Sequence, residues 1–409
     1  MRLYDTFQDS IVDFAPSNEV RMYVCGITPY DATHLGHANT YLAYDLLIRR
    51  LQDLGHNVDM VCNITDVDDS ILPKARELGV DFAELAATET ARFHDDMRAL
   101  CRLPPRAEPK ATEWVAQMIE MITKLADAGH VYGVDGTYWF DVATWPEFGS
   151  LSKLDQQTMV ELAAERGGNP DDPRQRNPLD FVLWQPSLPD EPKWDSPFGV
   201  GRPGWHIECS AMSMGLLGDE IDLHGGGTDL IFPHHECEIA QSEAATGNRF
   251  VKHWMHCGMV VYQGEKMSKS LGNLVFVNDL TAKFDPAALR LALMGHHYRE
   301  DWEWYDNHIN EGVTLLGILN EAASRDSTLP PRGTTERSIP DPRPFARKVR
   351  AALDDDLDSP RARNVLIELA QAILAADDYA GSAPAVLREL CELCGIQLKQ
   401  APTQDRTTP

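Results

Sequence analysis

The chain has 409 residues, of which 43% are hydrophobic and 24% are charged, and its formal net charge is −26. Such a length and composition are typical of a globular protein with two or three domains, and they exclude a disordered or fibrous chain. The acidic balance argues against a large nucleic-acid ligand, since phosphate contacts need a basic surface, although an acidic protein can still carry a local basic patch.

The N-terminus and the cysteine content point to one compartment. The first five residues lack a basic start followed by an apolar run, and no stretch approaches the length of a membrane span. The eight cysteines are sparse and irregularly spaced, which suits a reducing environment and metal or core roles rather than a disulfide framework. We therefore predict a cytoplasmic protein that does not enter a membrane.

The first elements predict a parallel sheet. Residues 20–25 have the pattern of a buried strand, residues 36–54 that of an apolar-periodic helix, and residues 57–64 that of a second strand. A strand, a helix and a strand in this order form a right-handed βαβ unit, which is the start of a Rossmann-like α/β fold.

The rest of the chain continues this α/β pattern. Helical periodicity fills residues 71–102 and 112–128, and a Trp- and Gly-containing segment at 132–151 indicates an inserted subdomain before a loop at 167–178. The sheet is expected to resume at 221–224 and 253–262. The remaining predictions are helices after residue 285, a linker at 329–344, a helical bundle at 345–398 and a disordered tail at 401–409.

Two imidazoles stand where the first helix is expected to begin. His34 and His37 flank Gly36 in the sequence Thr-His-Leu-Gly-His. A helix N-terminus offers unpaired amides to an anion, and a glycine lets a nucleotide approach the backbone closely. The two histidines can then donate hydrogen bonds to a phosphate in a transition state. Taken alone, such a pair is more often an ordinary surface feature.

A second basic signal follows residue 262. Lys266 and Lys269, with two serines, lie on a predicted loop between Gly264 and Gly272 that could close over a triphosphate. An isolated loop of this kind is usually only solvated. The two signals together resemble the HIGH and KMSKS signatures of class I aminoacyl-tRNA synthetases, which activate a carboxylate as its adenylate on a nucleotide-binding fold.

A third group of residues has the character of a metal site. Cys25 ends the first strand, Cys209 lies in a Gly-Trp-His-Ile-Glu-Cys run, and His234 and Glu238 are four residues apart, which would place them on one helix face. Two thiolates and an imidazole suit tetrahedral zinc. The alternative is that these are small buried cysteines and a core histidine.

The third group resembles the zinc site of cysteinyl-tRNA synthetases, in which zinc takes the thiolate of substrate cysteine and rejects serine. The resemblance implies Cys25, Cys209 and His234 as zinc ligands and leaves Glu238 open as a fourth. It extends from about residue 3 to about residue 396 and includes the motifs Asn-Ile-Thr-Asp from Asn63, Asn-Pro-Leu-Asp from Asn177, and Gly-Gly-Gly-Thr-Asp from Gly225.

Three departures distinguish the chain from those synthetases. Cys25 is followed by Gly-Ile-Thr-Pro-Tyr-Asp, an extra Glu-Arg-Gly-Gly-Asn-Pro run begins at Glu165, and the helices after residue 358 leave no room for an anticodon-reading domain. These features resemble the paralogous cysteine ligases of mycothiol biosynthesis, although Asn169 replaces the usual aspartate of that run. Glu238 and its neighbours are nearer to the synthetase pattern, so cysteinyl-tRNA synthetase remains the alternative.

The resemblance implies an ATP-dependent reaction in two steps. Cysteine is activated as cysteinyl-adenylate, and the amine of glucosaminyl-inositol then attacks it to form an amide, with AMP and pyrophosphate released. His34 and His37 are expected at the phosphates, Lys266 and Lys269 at pyrophosphate, and Mg²⁺ with ATP. The residues expected to bind the adenylate are Cys25, Gly26, Ile27, Thr28, Thr40, Asn63, Ile64, Thr65, Trp205, Gly227, Thr228, Asp229 and Val260.

The implied organisation is a class I synthetase catalytic domain with an inserted connective subdomain and a C-terminal helical bundle. The expected boundaries are 1–110 and 201–285 for the two catalytic halves, 111–200 for the insertion, 286–398 for the helical stem and bundle, and 399–409 for the tail. We expect small-molecule substrates, no tRNA and a monomer. Asp66, Asp68 or Asp69 could accept the proton of the sugar amine, although such a run is more often a cap or a solvated turn.

Two further features are assigned to packing. Cys391 and Cys394 have the spacing of a redox or zinc half-site, but they fall on the apolar stripe of a predicted helix, and no second pair completes a site. Trp302 and Trp304 are expected to pack between domains rather than to stack on bases.

Overall fold

The computed structural model describes residues 1–267, 272–325, 340–376 and 380–399. The chain opens with a hairpin of β1 (Arg2–Asp5) and β2 (Ser10–Asp13). The predicted βαβ unit follows as β3 (Glu19–Ile27), α1 (Leu35–Asp53) and β4 (Asn57–Ile64). β3 and β4 pair in parallel, which confirms the predicted start of the sheet.

The predicted helical stretch at 71–102 is two helices, α2 (Ile71–Leu78) and α3 (Phe82–Ala99). Gly79 ends α2 in the left-handed conformation with φ +68°. Asp81 then caps α3 by accepting the amides of Ala83 and Glu84. A glycine followed by an Asx cap breaks the helix because each satisfies the backbone groups of one end, so the helical pattern predicted for 71–102 is confirmed and is divided at residues 79–81. α4 (Val115–Asp127) follows.

The segment after α4 folds as an antiparallel sheet. It contains β5 (Val131–Val134), β6 (Thr137–Phe140), β7 (Phe181–Gln185) and β8 (Arg202–Pro203), paired in that order. α5 (Gln156–Glu165) lies between β6 and β7. No helix or strand interrupts the predicted loop at 167–178.

The parallel sheet then resumes. α6 (Trp205–Leu217), β9 (Leu223–Gly227), α7 (Glu236–Thr246) and β10 (Trp254–Cys257) follow in order, and the sheet has the order β10–β9–β3–β4 with every neighbour parallel. The carboxyl ends of all four strands therefore lie along one edge, which is where α/β folds bind their ligands.

The strand predicted at 253–262 divides between two sheets. β10 belongs to the parallel sheet, whereas β11 (Val260–Tyr262) pairs with β12 (Glu265–Lys266) and β13 (Trp302–Glu303). The placement of Lys266 on a loop was therefore wrong. Gln263 and Gly264 both have positive φ, the backbone that a tight two-residue hairpin turn requires, so the chain returns directly into β12.

Helices form the remainder, as predicted for the region after residue 285. They are α8 (Val277–Thr281), α9 (Pro286–Leu293), α10 (Asp306–Ala323), α11 (Arg343–Leu353), α12 (Ser359–Ala375) and α13 (Ala383–Leu393). Residues 329–339 of the predicted linker and the predicted tail at 401–409 lie outside the described residues. No helix in the described ranges combines the length and apolarity needed to cross a membrane.

The core has two parts. One lies between α1 and the C-terminal helices, and the other lies between α6 and the inserted sheet. Trp302, Trp304, Cys391 and Cys394 are buried in the first part, which confirms that they pack. Arg290 of α9 is also buried there, where it pairs with Asp45 of α1 and donates to the carbonyl of Cys394 over 2.8 Å.

Candidate active site

His34 caps the first long helix. Its backbone is extended (φ −99°, ψ 170°), α1 begins at Leu35, and the amide of Gly36 donates to His34 Nδ1 over 3.1 Å. A Cβ atom at Gly36 would lie 2.9 Å from the His34 ring, so a larger residue here would have to displace that ring. Because Nδ1 accepts a hydrogen bond, a neutral His34 carries its proton on Nε2 and can donate it to a ligand.

His37 stacks on His34, with ring centroids 3.8 Å apart and an interplanar angle of 23°. Burial lowers the pKa of His37 to about 4, against the opposing charges of Asp229 and Asp31. Its buried Nδ1 atom has no hydrogen-bond partner among the described residues. The site therefore presents a neutral imidazole beside a helix N-terminus, an arrangement suited to binding phosphate.

The second basic signal is only partly described. Lys266 pairs with Val261 in the β11–β12 hairpin, while Lys269 lies outside the described residues. Gly264 and Gly272, which flank the segment, both have positive φ. The roles of the two lysines remain predictions.

The four sequence-predicted metal ligands meet at the carboxyl edge of the sheet. Ligand atoms of Cys25, Cys209, His234 and Glu238 all lie within 4.8 Å of one another, and all four residues are buried. The Sγ atoms of Cys25 and Cys209 are 3.8 Å apart, and Glu238 Oε1 lies 3.5 Å from Cys25 Sγ and 2.8 Å from His234 Nε2. The structure thus brings Glu238 together with the three predicted ligands.

His234 and Glu238 meet as their four-residue spacing predicts, although His234 lies just before the helix that carries Glu238. α7 begins at Glu236, and His234 lies in an irregular turn that contains the extended residue Phe232. His234 nevertheless reaches Glu238 because the last residues of this turn already have helical φ and ψ.

Charge in the cluster is strongly redistributed. Burial favours the neutral form of Glu238, but His224 and His234 lower the pKa of its carboxyl to about 2. Burial likewise opposes the charged form of His234, yet Glu238 and Cys209 raise its pKa to about 10. Against burial, a hydrogen bond from Cys25 and the charge of His234 lower the pKa of Cys209 to about 6. An anionic thiolate and carboxylate in a buried pocket are the donors that a divalent metal requires.

Sequence reasoning missed the histidines around this cluster. His224 Nε2 lies 2.5 Å from Glu238 Oε2, and His235 Nε2 lies 3.3 Å from Cys25 Sγ. Cys25, His224, His235 and Glu238 form an alternative group with metal-ligand spacing. The sequence feature that could have identified His224 is its position as a titratable residue within the buried strand β9.

The predicted adenylate residues at the ends of β3 and β4 lie together. The Gly26 amide donates to Asn63 Oδ1 over 2.8 Å, and a Cβ atom at Gly26 would lie 1.5 Å from the Asn63 carbonyl oxygen. Ile27 and Ile64 are register partners across β3 and β4. Thr65 donates to Glu208 over 3.0 Å. Gly26, Ile27, Thr28, Asn63, Ile64 and Thr65 therefore form one group at the carboxyl ends of β3 and β4.

The other predicted adenylate residues lie on neighbouring elements. The Trp205 ring stacks on His234, with centroids 4.3 Å apart. Gly227 ends β9, and Thr228 and Asp229 form the next turn. Val260 begins β11, and the Thr40 carbonyl of α1 accepts the Cys257 thiol over 3.9 Å.

An arginine from the Glu-Arg-Gly-Gly-Asn-Pro run reaches this turn. Arg166 Nη1 donates to the carbonyl of Asp229 over 2.6 Å and to that of Phe232. The inserted run therefore holds the segment that leads into His234. The run itself was noticed in the sequence, but this contact was not predicted.

The three aspartates after Thr65 have different partners. Asp66 accepts the amide and hydroxyl of Thr112, and Asp69 pairs with Arg202. Asp68 caps α2 through the amides of Ser70 and Ile71, and its other oxygen accepts the Thr28 hydroxyl over 3.3 Å. Capping is confirmed for Asp68, which also touches the predicted pocket.

Comparison with known proteins accounts for this arrangement. Residues 11–314 match the family model described as tRNA synthetases class I (C) catalytic domain. The chain is 47% identical over 400 residues to a protein of Thermobispora bispora named L-cysteine:1D-myo-inositol 2-amino-2-deoxy-alpha-D-glucopyranoside ligase, covering 97% of this chain and 96% of the relative. The protein of the same name from Streptosporangium roseum is 46% identical over the same shares. The chain belongs to this ligase family.

The fold of this ligase family member is that of class I synthetases. Two structures of Mycobacterium tuberculosis methionyl-tRNA synthetase, one in complex with methionyl-adenylate and one bound by it, are 17% identical, with TM-scores of 0.63 and 0.64. They cover 92% of this chain, which covers 89% and 90% of theirs. The predicted α/β class I architecture and the resemblance to the cysteine ligases are confirmed.

Proposed function

We propose that the chain is an ATP-dependent ligase that activates L-cysteine as cysteinyl-adenylate and transfers it to the amine of glucosaminyl-inositol, releasing AMP and pyrophosphate in mycothiol biosynthesis. The observation that carries this proposal is the 47% identity, over nearly the whole of both chains, to a ligase named for these substrates. The buried thiol cluster at the sheet edge supports it. A cytoplasmic, monomeric enzyme that does not use tRNA is part of the same proposal.

The donor set fits one Zn²⁺ ion, because two thiols, an imidazole and a carboxylate suit a borderline-soft tetrahedral ion. Cys25, Cys209 and His234 would hold it, and Glu238 would occupy the fourth, exchangeable position. When bound there, zinc would offer the substrate thiolate a Lewis-acidic site in place of Glu238 and would disfavour the serine hydroxyl, which is a poorer and less ionised ligand.

In the first step the cysteine carboxylate attacks the α-phosphate of ATP, which enters with Mg²⁺. Catalysis of such a step consists of positioning and charge stabilisation. We assign His34 and His37 to the phosphates, Lys266 and Lys269 to the leaving pyrophosphate, and the Gly227–Asp229 turn to the ribose. His34 Nε2–H and the neutral His37 ring supply donors without adding a fixed charge.

In the second step the sugar amine attacks the adenylate carbonyl as a free base. Asp68 is the member of its aspartate run that contacts a predicted pocket residue, through the Thr28 hydroxyl. Burial raises the pKa of Asp68 above its usual value, which makes it a stronger base. We assign Asp68 as the acceptor of the amine proton.

The test measures AMP release by the purified protein with ATP and cysteine, with glucosaminyl-inositol or deacylated tRNA as the acceptor. Release with the amino sugar, and a cysteinyl amide identified by mass, is the expected result. Acylation of tRNA alone would make the chain a cysteinyl-tRNA synthetase and would overturn the proposal.

A further inference from the structure

Glu208 is a buried carboxylate outside the predicted ligand set. It lies on α6 directly before Cys209 and is 0% exposed. Its Oε2 atom accepts the Thr65 hydroxyl over 3.0 Å, whereas its Oε1 atom has no hydrogen-bond partner among the described residues. A buried acceptor without a donor is costly to the fold, so its retention points to a ligand.

Glu208 ends a chain of hydrogen bonds with fixed polarity. The Thr65 hydroxyl donates its single proton to Glu208 and accepts from Asn63 Nδ2 over 3.0 Å. Asn63 Oδ1 in turn accepts the Gly26 amide over 2.8 Å. A hydroxyl has one proton and two lone pairs. The Thr65 oxygen therefore keeps one lone pair for a further donor.

The two ends of this series of hydrogen bonds adjoin the cysteines among the predicted metal ligands. Gly26 follows Cys25 on β3, and Glu208 precedes Cys209 on α6. In cysteine, only Cβ and Cα separate the sulfur from the ammonium group. A substrate whose sulfur lies at these two thiols therefore has its ammonium group near the ends of β3 and β4.

The surroundings of Glu208 favour a cation. Burial raises the pKa of the Glu208 carboxyl well above its usual value, and the neighbouring Cys209, Asp68 and Asp66 raise it further, so the charged groups that act on it include no cation. Arg202, the cation at the neighbouring Asp69, is already paired with that residue and with Glu191.

We infer that Glu208 is a positioning residue for the α-ammonium group of the cysteine substrate, because it holds the Thr65 hydroxyl in the orientation in which its free lone pair accepts from that group. This inference rests on the proposed cysteine activation. It makes the pocket selective for an amino acid as well as for a thiol.

The test compares ATP–pyrophosphate exchange supported by cysteine and by 3-mercaptopropionate, which keeps the thiol and carboxylate but lacks the amine. The wild-type protein should prefer cysteine. In Glu208→Gln and in Thr65→Val, the ratio of kcat/KM for cysteine to that for 3-mercaptopropionate should fall roughly tenfold or more, because the ammonium group loses its correctly oriented acceptor at residue 65. Metal content should not change.

Glu89→Gln is the matched control. Glu89 is also a buried glutamate with one unpartnered oxygen, but it lies on α3 and pairs with Arg92. Its ratio should equal that of the wild type. An unchanged ratio in both Glu208→Gln and Thr65→Val would overturn the inference alone. A wild-type protein without cysteine-dependent exchange would overturn the proposed function, and the inference with it.

Discussion

The Glu238 carboxylate has a different imidazole on each of its oxygen atoms. Oε1 faces His234 within the metal cluster, and Oε2 faces His224 from β9. A ligand held from behind in this way keeps its orientation, and such partners strengthen metal binding. The outer histidine therefore supports Glu238 as the fourth ligand.

Replacing Cys209 should remove the metal. Cys209→Ser substitutes a hydroxyl, a poor ligand, for a thiolate, so the metal content should fall from about one per chain toward zero, with loss of the preference for cysteine over serine. Elemental analysis of the purified protein measures the first effect. Cys237→Ser, at a buried cysteine that belongs to neither metal group, should keep its metal. Full metal content in Cys209→Ser would refute the ligand assignment.

Replacing His37 should slow adenylation and leave the metal in place. His37→Ala removes a donor to the transition state, which costs roughly a hundredfold in rate. Cysteine-dependent pyrophosphate exchange measures the effect. His56→Ala removes a histidine whose Nδ1 atom contacts the Ser17 carbonyl at the surface, and it should exchange normally. Unchanged adenylation in His37→Ala would remove the phosphate role.

The protonation of His37 can be tested directly. Its pKa of about 4 in the folded protein lies below the usual value of about 6.5 for an unfolded chain. The neutral ring therefore stabilises the fold above about pH 6.5, and this contribution is lost as the pH falls toward 4. NMR titration, with the ring signal assigned from the spectrum of His37→Gln, should give a midpoint of about 4. A midpoint near 6.5 would contradict the account.

At the scale of elements, the sequence predicted helices and strands from their apolar patterns but missed the turns that divide or connect them. Residues 57–64 were predicted within their observed bounds because a buried strand carries a dense apolar pattern. The division of 71–102 and the return of the chain into β12 depend on Gly79, Asp81 and the Gln263–Gly264 turn. Periodicity does not register these local signals, so both were missed.

The contact between the inserted Glu-Arg-Gly-Gly-Asn-Pro run and the turn at Asp229 can be tested by replacing Arg166. Arg166→Gln removes a charged donor to the carbonyls of Asp229 and Phe232. The turn assigned to the ribose should loosen, and the KM for ATP should rise roughly tenfold. Arg174→Gln, which breaks an ion pair with Asp172 in the same loop, is the control and should bind ATP normally. An unchanged KM in Arg166→Gln would show that the contact does not position the turn.

At the scale of the whole molecule, the catalytic sheet and the C-terminal helices share one core. Burial would raise the pKa of Asp45, but Arg290 and Arg49 hold it below the usual value. The sequence predicted the helices that meet here from their apolar stripes. It could not predict Asp45 with Arg290 or Thr65 with Glu208, since such pairs depend on the packing of distant segments.

Removing Arg290 tests the stability of this junction. Arg290→Met leaves the Asp45 carboxylate buried without its main partner, a loss that typically costs about 3–5 kcal/mol. Chemical denaturation followed by fluorescence measures the change. Arg98→Met breaks an exposed pair with Asp95 and should cost less than about 1 kcal/mol. Equal effects of the two substitutions would contradict the account.

The predicted metal donors are far apart in the sequence, which has a consequence for the order in which the site would form during synthesis. Cys25 lies near the N-terminus, and its partners lie between Cys209 and Glu238. During synthesis Cys25 therefore leaves the ribosome long before the other predicted donors are made. All four strands of the antiparallel sheet are synthesised in between. Metal loading at these residues would therefore be a late event in biogenesis. Once bound, the ion would fasten the two halves of the parallel sheet together, as a cross-link that closes a long loop.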